Sequence, residues 1–311
     1  MKPKALFLLP SGWDALGAET FASPVYDMVL AGRDAFAPDE ISYFVGFRPQ
    51  PGFLATLPHL KAVISLGAGV DGFLSDPQFP KQVPLVRSID PNLAIQMGEY
   101  VAMHVLMIHR DQPFFARAQA EHSWRQRMLW RNASDIRAGI LGLGTIGQLI
   151  AQRLRNFGFQ VSGWSQHRKH IADVRSFAGT EEMPDFLAQC DIVVCVLPLT
   201  PETRNIMDAA FFARLPKGAW VINVARGAHL VETDLIAALD SGHLAGAVLD
   251  VFQTEPLPDE SPIWRHPHII ATPHIAGIPD PNAARAHVED CIRRAEAGQA
   301  LPHLVDAKRG Y

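Results

Sequence analysis

From about residue 139 to residue 272, short apolar runs alternate with amphipathic stretches along the chain. The runs predict strands over 139–141, 159–164, 191–197, 219–225, 245–251 and 268–272, with helices over 146–157, 183–189, 208–214 and 233–241 between them. Strands and helices in alternation build a parallel sheet covered on both faces, the doubly wound plan of an α/β domain. The helix at 233 has start signals in Thr233 and Asp234 and a stop in Gly242.

Before residue 95 the alternation recurs on a smaller scale. Strand-like runs at 5–9, 41–47, 62–66 and 83–89 are separated by helical or turn-rich stretches such as 25–30 and 53–60, predicting a second, smaller doubly wound domain. Over 96–109, Tyr100, Val101, His104, Val105 and Ile108 recur at spacings of three and four, which predicts one helix face and an interdomain helix. The polar segment 114–134 reads as a surface loop or arm. Its Trp124 and Trp130 suit either burial in a subunit partner or packing on their own domain. After Pro279 and Pro281 a helix over 282–297 leaves the alternating pattern and can return to the first domain. The expected division is 1–98 with 281–311, and 99–280, with the ligand site in a cleft between the two domains.

A length of 311 residues suits two ordinary domains, and 48% hydrophobic residues, 19% charged residues and a net charge of −4 describe a globular protein without the positive field that nucleic acid requires. Cys190, Cys195 and Cys291 have neither metal-site spacing nor the even count of a disulfide framework, so no metal is expected and a reducing, cytoplasmic setting fits. Cys190 and Cys195 flank an apolar run and read as core thiols. The apolar run 5–9 ends at Pro10 and reads as a first strand, too short for a signal sequence. No run approaches the roughly 18–20 apolar residues of a membrane span, so the expected partners are a small molecule and neither nucleic acid nor membrane.

Candidate chemistry concentrates on the ends of the predicted strands. Gly142-Leu143-Gly144-Thr145-Ile146-Gly147 follows one strand and opens one helix, the context in which a glycine-rich turn binds a dinucleotide. Gly142 permits the tight turn, Gly144 lets backbone approach the pyrophosphate, Gly147 permits close helix packing, and the helix N-terminus attracts the phosphates. NAD sites place an acid at the end of the next strand to bond the ribose 2′-hydroxyl. Here that strand ends in Trp164 and Ser165 and continues to Arg168 and Lys169 with no acid, so NADPH is the expected cofactor and NADH the lesser one. Arg226, at the end of another strand, can grip a carboxylate with two prongs or polarise a carbonyl oxygen. His274 and Glu255 follow two further strands on the same sheet edge. A glutamate bonded to imidazole fixes its tautomer and favours its protonated form, which can deliver a proton to a ketone oxygen.

Segments spread over nearly the whole chain resemble the D-isomer-specific 2-hydroxyacid dehydrogenases. They are Leu66-Gly-Ala-Gly-Val-Asp71, the 142–147 turn, Leu197-Pro-Leu-Thr-Pro-Glu-Thr203, Asn223-Val-Ala-Arg-Gly227, Gly246-Ala-Val-Leu-Asp-Val-Phe252, Glu255-Pro-Leu-Pro258 and Thr272-Pro-His274. Within the family the chain is most similar to the branch that reduces glyoxylate and hydroxypyruvate, to which its ending Arg309-Gly-Tyr311 is also similar.

The resemblance implies a Rossmann NAD(P)-binding domain, a smaller flavodoxin-like substrate domain and a homodimer formed through residues 100–135. It implies Arg226, Glu255 and His274 as the catalytic triad. Leu197, Pro198, Thr203, Val224 and Ala225 would line the cofactor path, and Asp250 would lie near the nicotinamide amide. The substrate carboxylate would bind backbone N–H groups at Ala68, Gly69 and Val70. Glutamine at 166, where the branch commonly has another cation, is a departure that weakens the NADPH signal. The implied activity is NADPH-preferring reduction of small 2-oxo acids, glyoxylate to glycolate and hydroxypyruvate to D-glycerate. The alternatives are a relative specific for another 2-hydroxy acid, and a dinucleotide-sensing protein without turnover. Formate dehydrogenase chemistry is disfavoured by Glu255, because that enzyme's relatives carry glutamine there.

Overall fold

The structure is a computed structural model that describes residues 2–9, 13 and 18–306. Arg309-Gly-Tyr311, and the Pro10 expected to close the first strand, lie outside the described residues. In chain order the first elements are β1 (Lys4–Leu8), β2 (Asp27–Leu30), β3 (Ile41–Gly46), β4 (Ala62–Ser65), α1 (Asp71–Leu74), β5 (Leu85–Val86), α2 (Pro91–His109) and α3 (Gln112–Ala120). They are followed by β6 (Arg137–Leu141), α4 (Thr145–Asn156), β7 (Gln160–Ser165), β8 (Arg175–Ala178), α5 (Met183–Leu187), β9 (Ile192–Cys195) and α6 (Ala209–Arg214). The last are β10 (Ala219–Asn223), α7 (Glu232–Asp240), β11 (Leu244–Leu249), β12 (Ile269–Ala271) and α8 (Pro281–Glu296). The chain divides into two compact units, Met1–Leu93 with Pro279–Tyr311, and Ala94–Ile278.

The first unit is a five-stranded parallel sheet in the order β2-β1-β3-β4-β5, a flavodoxin-like order. Alternation along each strand feeds two apolar layers. Phe7, Tyr43, Val45 and Ile64 pack with Val288, Cys291 and Ile292 of α8, while Leu6, Phe44 and Val63 pack with Leu54 and Phe73 on the other side. The chain's last helix is therefore part of the first unit's core. Residues 25–30, expected to be helical or turn-rich, instead supply the edge strand β2, whose alternate residues Met28 and Leu30 are only partly buried. An apolar run this short fits either structure, and pairing with β1 decides it. The strand expected at 83–89 is confined to β5.

The second unit is a seven-stranded parallel sheet in the order β12-β11-β10-β9-β6-β7-β8. The chain winds outward through β6, β7 and β8, then returns beside β6 with β9 and winds the other way. This is the Rossmann order, with its switch point between β6 and β9. Because both faces are covered, the central strands are largely apolar; all four residues of β9 are buried. Burial pushes the thiols of Cys190 and Cys195 up to about 12, so they are inert core groups.

Two further sequence expectations change here, and one strand is new. The segment 114–134 is not wholly a loop, because α3 occupies its first part. Beyond it residues 123–132 lack regular structure, and Trp124 and Trp130 are 92% and 85% exposed, so neither packs on its own unit. The helix expected at 233 begins at Glu232, and its N-cap Val231 gives no side-chain cap. Asp234 instead accepts the Ala209 N–H at 2.9 Å and ties α7 to the start of α6. The edge strand β8 had no counterpart in the sequence reading, because polar Arg175 and Ser176 interrupt its apolar pattern.

Candidate active site

At the switch point, β6 leads into α4 through the glycine turn, and each glycine meets a different constraint. Gly142 has φ +106°, a conformation side chains rarely adopt. A Cβ on Gly147 would lie 1.8 Å from the Gly142 carbonyl oxygen, so the helix can sit on the turn only without one. Gly144, the N-cap of α4, is exposed and has nothing within 4 Å of the place a Cβ would occupy. The fold therefore does not need glycine at 144, whereas a ligand approaching the backbone does. Leu143 is buried and Thr145 and Ile146 start the helix, whose first N–H groups face outward from a cap with no side-chain bond.

The end of β7 carries no acid. Trp164 is buried and donates its indole N–H to the Gly179 carbonyl at 2.8 Å; the buried Ser165 hydroxyl donates to the His167 carbonyl at 2.7 Å. Arg168 folds back along β8, donating to the Ser176 carbonyl at 2.6 Å and pairing with Glu182. Glu182 also accepts the Ala178 N–H at 2.8 Å. Lys169 donates its backbone N–H to Ser176 Oγ at 3.2 Å. A glycine turn without steric cover fits a dinucleotide, while at the strand end the Ser165 hydroxyl and the Arg168 guanidinium are engaged within the chain, so a 2′-phosphate there would have to compete with His167, Ser176 and Glu182.

Beyond β9, Leu197 is buried and the Thr203 hydroxyl donates to the Pro198 carbonyl at 2.7 Å, closing the 198–203 loop. Beyond β10, buried Asn223 accepts the Ala225 N–H at 3.1 Å and donates to the Arg226 carbonyl at 3.0 Å, shaping the turn that holds Val224, Ala225 and Arg226. His229 is fully buried beneath it. Its Nδ1 meets the Arg226 N–H at 3.2 Å and the Arg226 carbonyl at 3.1 Å, and its Nε2 reaches the Pro198 carbonyl at 3.2 Å, so it bridges the two loops. A Cβ on Gly227 would lie 1.8 Å from the Phe252 carbonyl carbon, so the Arg226 turn lies directly against the loop after β11. The Arg226 guanidinium is half-buried and donates to its neighbour's carbonyl, Ala225 O, at 2.7 Å.

Glu255 and His274 meet at this edge. Glu255 Oε1 accepts the Phe252 N–H at 2.9 Å and Oε2 lies 2.8 Å from His274 Nδ1. A carboxylate only accepts, so Nδ1 carries the hydrogen and Nε2 is left as the working atom. Burial alone would raise the Glu255 carboxyl, but the bonds from His274 and Phe252 and the charges of His274 and Arg226 hold it below the ordinary glutamate value. It is therefore an anion at neutral pH. The His274 side chain is 46% exposed, and Nε2 has no partner among the described residues.

Within the first unit, the turn after β4 carries Ala68, Gly69 and Val70. Among the described residues none of their three backbone N–H groups donates a hydrogen bond, and Ala68 and Gly69 are half-exposed. A turn with spare donors suits an anion.

A model of the D-isomer specific 2-hydroxyacid dehydrogenase NAD binding domain matches residues 102–276. The chain belongs to the D-isomer specific 2-hydroxyacid dehydrogenases. A glyoxylate/hydroxypyruvate reductase A from Serratia proteamaculans is 43% identical over 274 residues, covering 86% of this chain and 87% of that protein. Among solved structures, a family member from Xanthobacter autotrophicus Py2 in complex with NADPH and MES matches with TM-score 0.89 and 43% identity, covering both chains completely. An NADPH-dependent glyoxylate/hydroxypyruvate reductase from Sinorhizobium meliloti, in complex with NADP and sulfate, matches over both full chains with TM-score 0.90 and 37% identity.

Within this 2-hydroxyacid dehydrogenase, Arg226, Glu255 and His274 follow three adjacent strands, β10, β11 and β12, on the edge where the glycine turn also lies. Asp250 is 1% exposed and its carboxylate takes three hydrogen bonds from the 272–276 loop, so its described contacts are with protein. Sequence reasoning did not single out Asn223, His229, Thr272, Tyr100 or Glu182. Asn223 and Thr272 open two of the quoted motif segments, though no role was assigned to either. Tyr100 was read only as part of a helix face, and Glu182, which comes from a distant segment, carried no signal.

Proposed function

We propose that this chain is an NADPH-preferring reductase of small 2-oxo acids, converting glyoxylate to glycolate and hydroxypyruvate to D-glycerate. The observation that carries the reading is the 2.8 Å pair between His274 Nδ1 and Glu255 Oε2, beside an arginine and on the same sheet edge as an uncovered glycine turn. The names of the Serratia and Sinorhizobium relatives support the substrates, and the ligands of the two solved structures support the cofactor.

The dinucleotide would be held by residues 142–147, Trp164, Ser165, Arg168, Lys169, Leu197, Pro198, Thr203, Val224 and Ala225, and when bound it supplies the hydride. His274 holds a proton at Nε2 and gives it to the carbonyl oxygen of the substrate. Anionic Glu255 keeps the other ring proton on Nδ1 and stabilises the imidazolium before transfer. Arg226 binds the carboxylate and polarises the carbonyl, which serves both orientation and charge stabilisation. The spare N–H groups of Ala68, Gly69 and Val70 are proposed as further carboxylate donors. Among the described residues no helix is long and apolar enough to cross a membrane; we propose a cytoplasmic homodimer using the exposed segment around Trp124 and Trp130.

The test is the oxidation of NADPH and NADH, in parallel, with glyoxylate, hydroxypyruvate, pyruvate and 3-phosphohydroxypyruvate, compared as kcat/KM. The expected result is preferred turnover of the first two acids with NADPH. Turnover confined to another acid moves the substrate, and absence of turnover with tight NADPH binding favours a sensor.

A further inference from the structure

His274 is held in a backbone conformation that residues with a Cβ adopt only uncommonly. Its φ is +55°, in the left-handed region, where a side chain with a Cβ incurs a strain of roughly 1–2 kcal/mol. Such a residue persists only where the surroundings over-determine it, and here they do. The His274 N–H donates to the Asp250 carbonyl at 2.8 Å. The next two N–H groups, of Ile275 and Ala276, donate to the two oxygens of the Asp250 carboxylate at 2.9 and 2.8 Å. Three successive amides thus close around one buried aspartate, a nest in which the anion sets the backbone.

The clamp extends further. Thr272 Oγ1 lies 2.6 Å from Asp250 Oδ1 and 2.6 Å from the Tyr100 hydroxyl on α2. The carboxylate can only accept, so the single Thr272 hydroxyl hydrogen points at Asp250. Thr272 must then accept from Tyr100. Tyr100 is 9% exposed, and its burial, reinforced by the charge of Asp250, pushes the phenol up to about 12. It is a donor at any working pH. The ring of His104, one turn further along α2, lies 4.3 Å from the Tyr100 ring, and among the described residues neither of its nitrogens has a hydrogen-bond partner. His104 is buried and its pKa is pushed down to about 4 by that burial, so it packs against the phenol as a neutral ring.

We propose that Tyr100 and Thr272 are positioning residues for the reaction: the Tyr100-Thr272-Asp250 chain of hydrogen bonds fixes the 272–276 loop and so aims His274 Nε2. The described hydrogen bonds of all three are with other residues of the chain. Tyr100 aligns the Thr272 hydroxyl, which satisfies Asp250 Oδ1, and Asp250 then orders the strained segment. The inference rests on His274 being the proton donor. It assigns to a helix remote in sequence, α2, a share in the geometry of the acid.

The experiment compares Tyr100→Phe, Thr272→Val, Thr272→Ser and the Tyr100→Phe/Thr272→Val double variant with His274→Ala, in the full chain. Displacing a catalytic group by a fraction of an ångström lowers kcat by about tenfold, and that loss is expected for Thr272→Val, with a smaller loss for Tyr100→Phe. The double variant should be no worse than Thr272→Val, because Tyr100 acts through that hydroxyl. Thr272→Ser, which keeps the hydroxyl, should recover most of the loss. The dissociation constant for NADPH, read by fluorescence titration, should stay within about twofold of the parent throughout, since the loss lies in aiming the acid. Amide exchange over 272–276, measured without cofactor, should speed up in Tyr100→Phe and in Thr272→Val but not in Thr272→Ser. Parent-like kcat and exchange in both Tyr100→Phe and Thr272→Val would overturn the proposal, as would losses that multiply in the double variant. Turnover surviving in His274→Ala would overturn the proton-donor reading itself, a different failure from an inactive His274→Ala beside an unimpaired Tyr100→Phe.

Discussion

Replacing the last two glycines of the 142–147 turn, one at a time, separates what the fold needs from what the cofactor needs. In Gly147→Ala the new methyl would sit 1.8 Å from the Gly142 carbonyl oxygen, a backbone atom that cannot rotate away. Helix α4 or the turn must shift by roughly an ångström, and overpacking of this kind costs about 1–3 kcal/mol or more. In Gly144→Ala the methyl meets nothing within 4 Å, and φ −76°, ψ −167° is ordinary backbone for alanine. The N-cap preference for glycine over alanine and the entropy gained on removing a glycine oppose each other at about 0.5–1 kcal/mol each, so the stability should change by no more than about 0.5 kcal/mol. Binding should behave in the opposite sense. A methyl standing between the backbone and a pyrophosphate forfeits at least one charge-assisted hydrogen bond, about 1.5–3 kcal/mol, which weakens NADPH by roughly 10- to 150-fold. The assays are thermal unfolding of cofactor-free protein and fluorescence titration with NADPH. With about 2–4 °C of Tm for each kcal/mol in a domain of this size, Gly147→Ala should melt several degrees lower while Gly144→Ala melts with the parent. NADPH binding by Gly144→Ala within twofold of the parent would refute the placement of the cofactor on this turn, and equal destabilisation by the two variants would refute the steric argument.

The other sites make separable predictions. Arg226→Ala should lose most turnover with 2-oxo acids while still binding NADPH; unchanged kcat/KM would remove it from the site. Arg168→Ala should weaken NADPH much more than NADH, and equal losses would mean that its bonds to Ser176 and Glu182 are its whole role. Because Glu255 is held below its ordinary value, its pairing contributes fully above about pH 4.3 and is lost as pH falls through the depressed folded value. Urea unfolding of the parent and Glu255→Gln should therefore converge on acidification, and a stability gap independent of pH would contradict the ion pair. Replacing exposed Trp124 and Trp130 with serine should shift a homodimer toward monomer in light scattering without lowering Tm below that of the dissociated parent.

Much of this protein was legible in residue order because its signals are local. Apolar runs identified the strands of the second unit except the edge strand β8 to within a few residues, since a strand buried on both faces is mostly apolar. The glycine turn, Arg226, Glu255 and His274 were readable because parallel strands bring every strand end to one sheet edge, so a motif after a strand already has an address. Other features needed the tertiary structure. Whether 25–30 becomes a strand depends on β1 beside it, and whether Asp234 caps its own helix depends on an N–H from α6. Arg168 meets Glu182 and Tyr100 meets Thr272 across 14 and 172 residues, separations at which sequence offers no pattern to follow. The left-handed backbone of His274 is the clearest case. Local preference opposes it, and only hydrogen bonds from partners gathered by the finished sheet make it the lowest-energy choice, so the residue was named by the chain and its aim was decided by the fold.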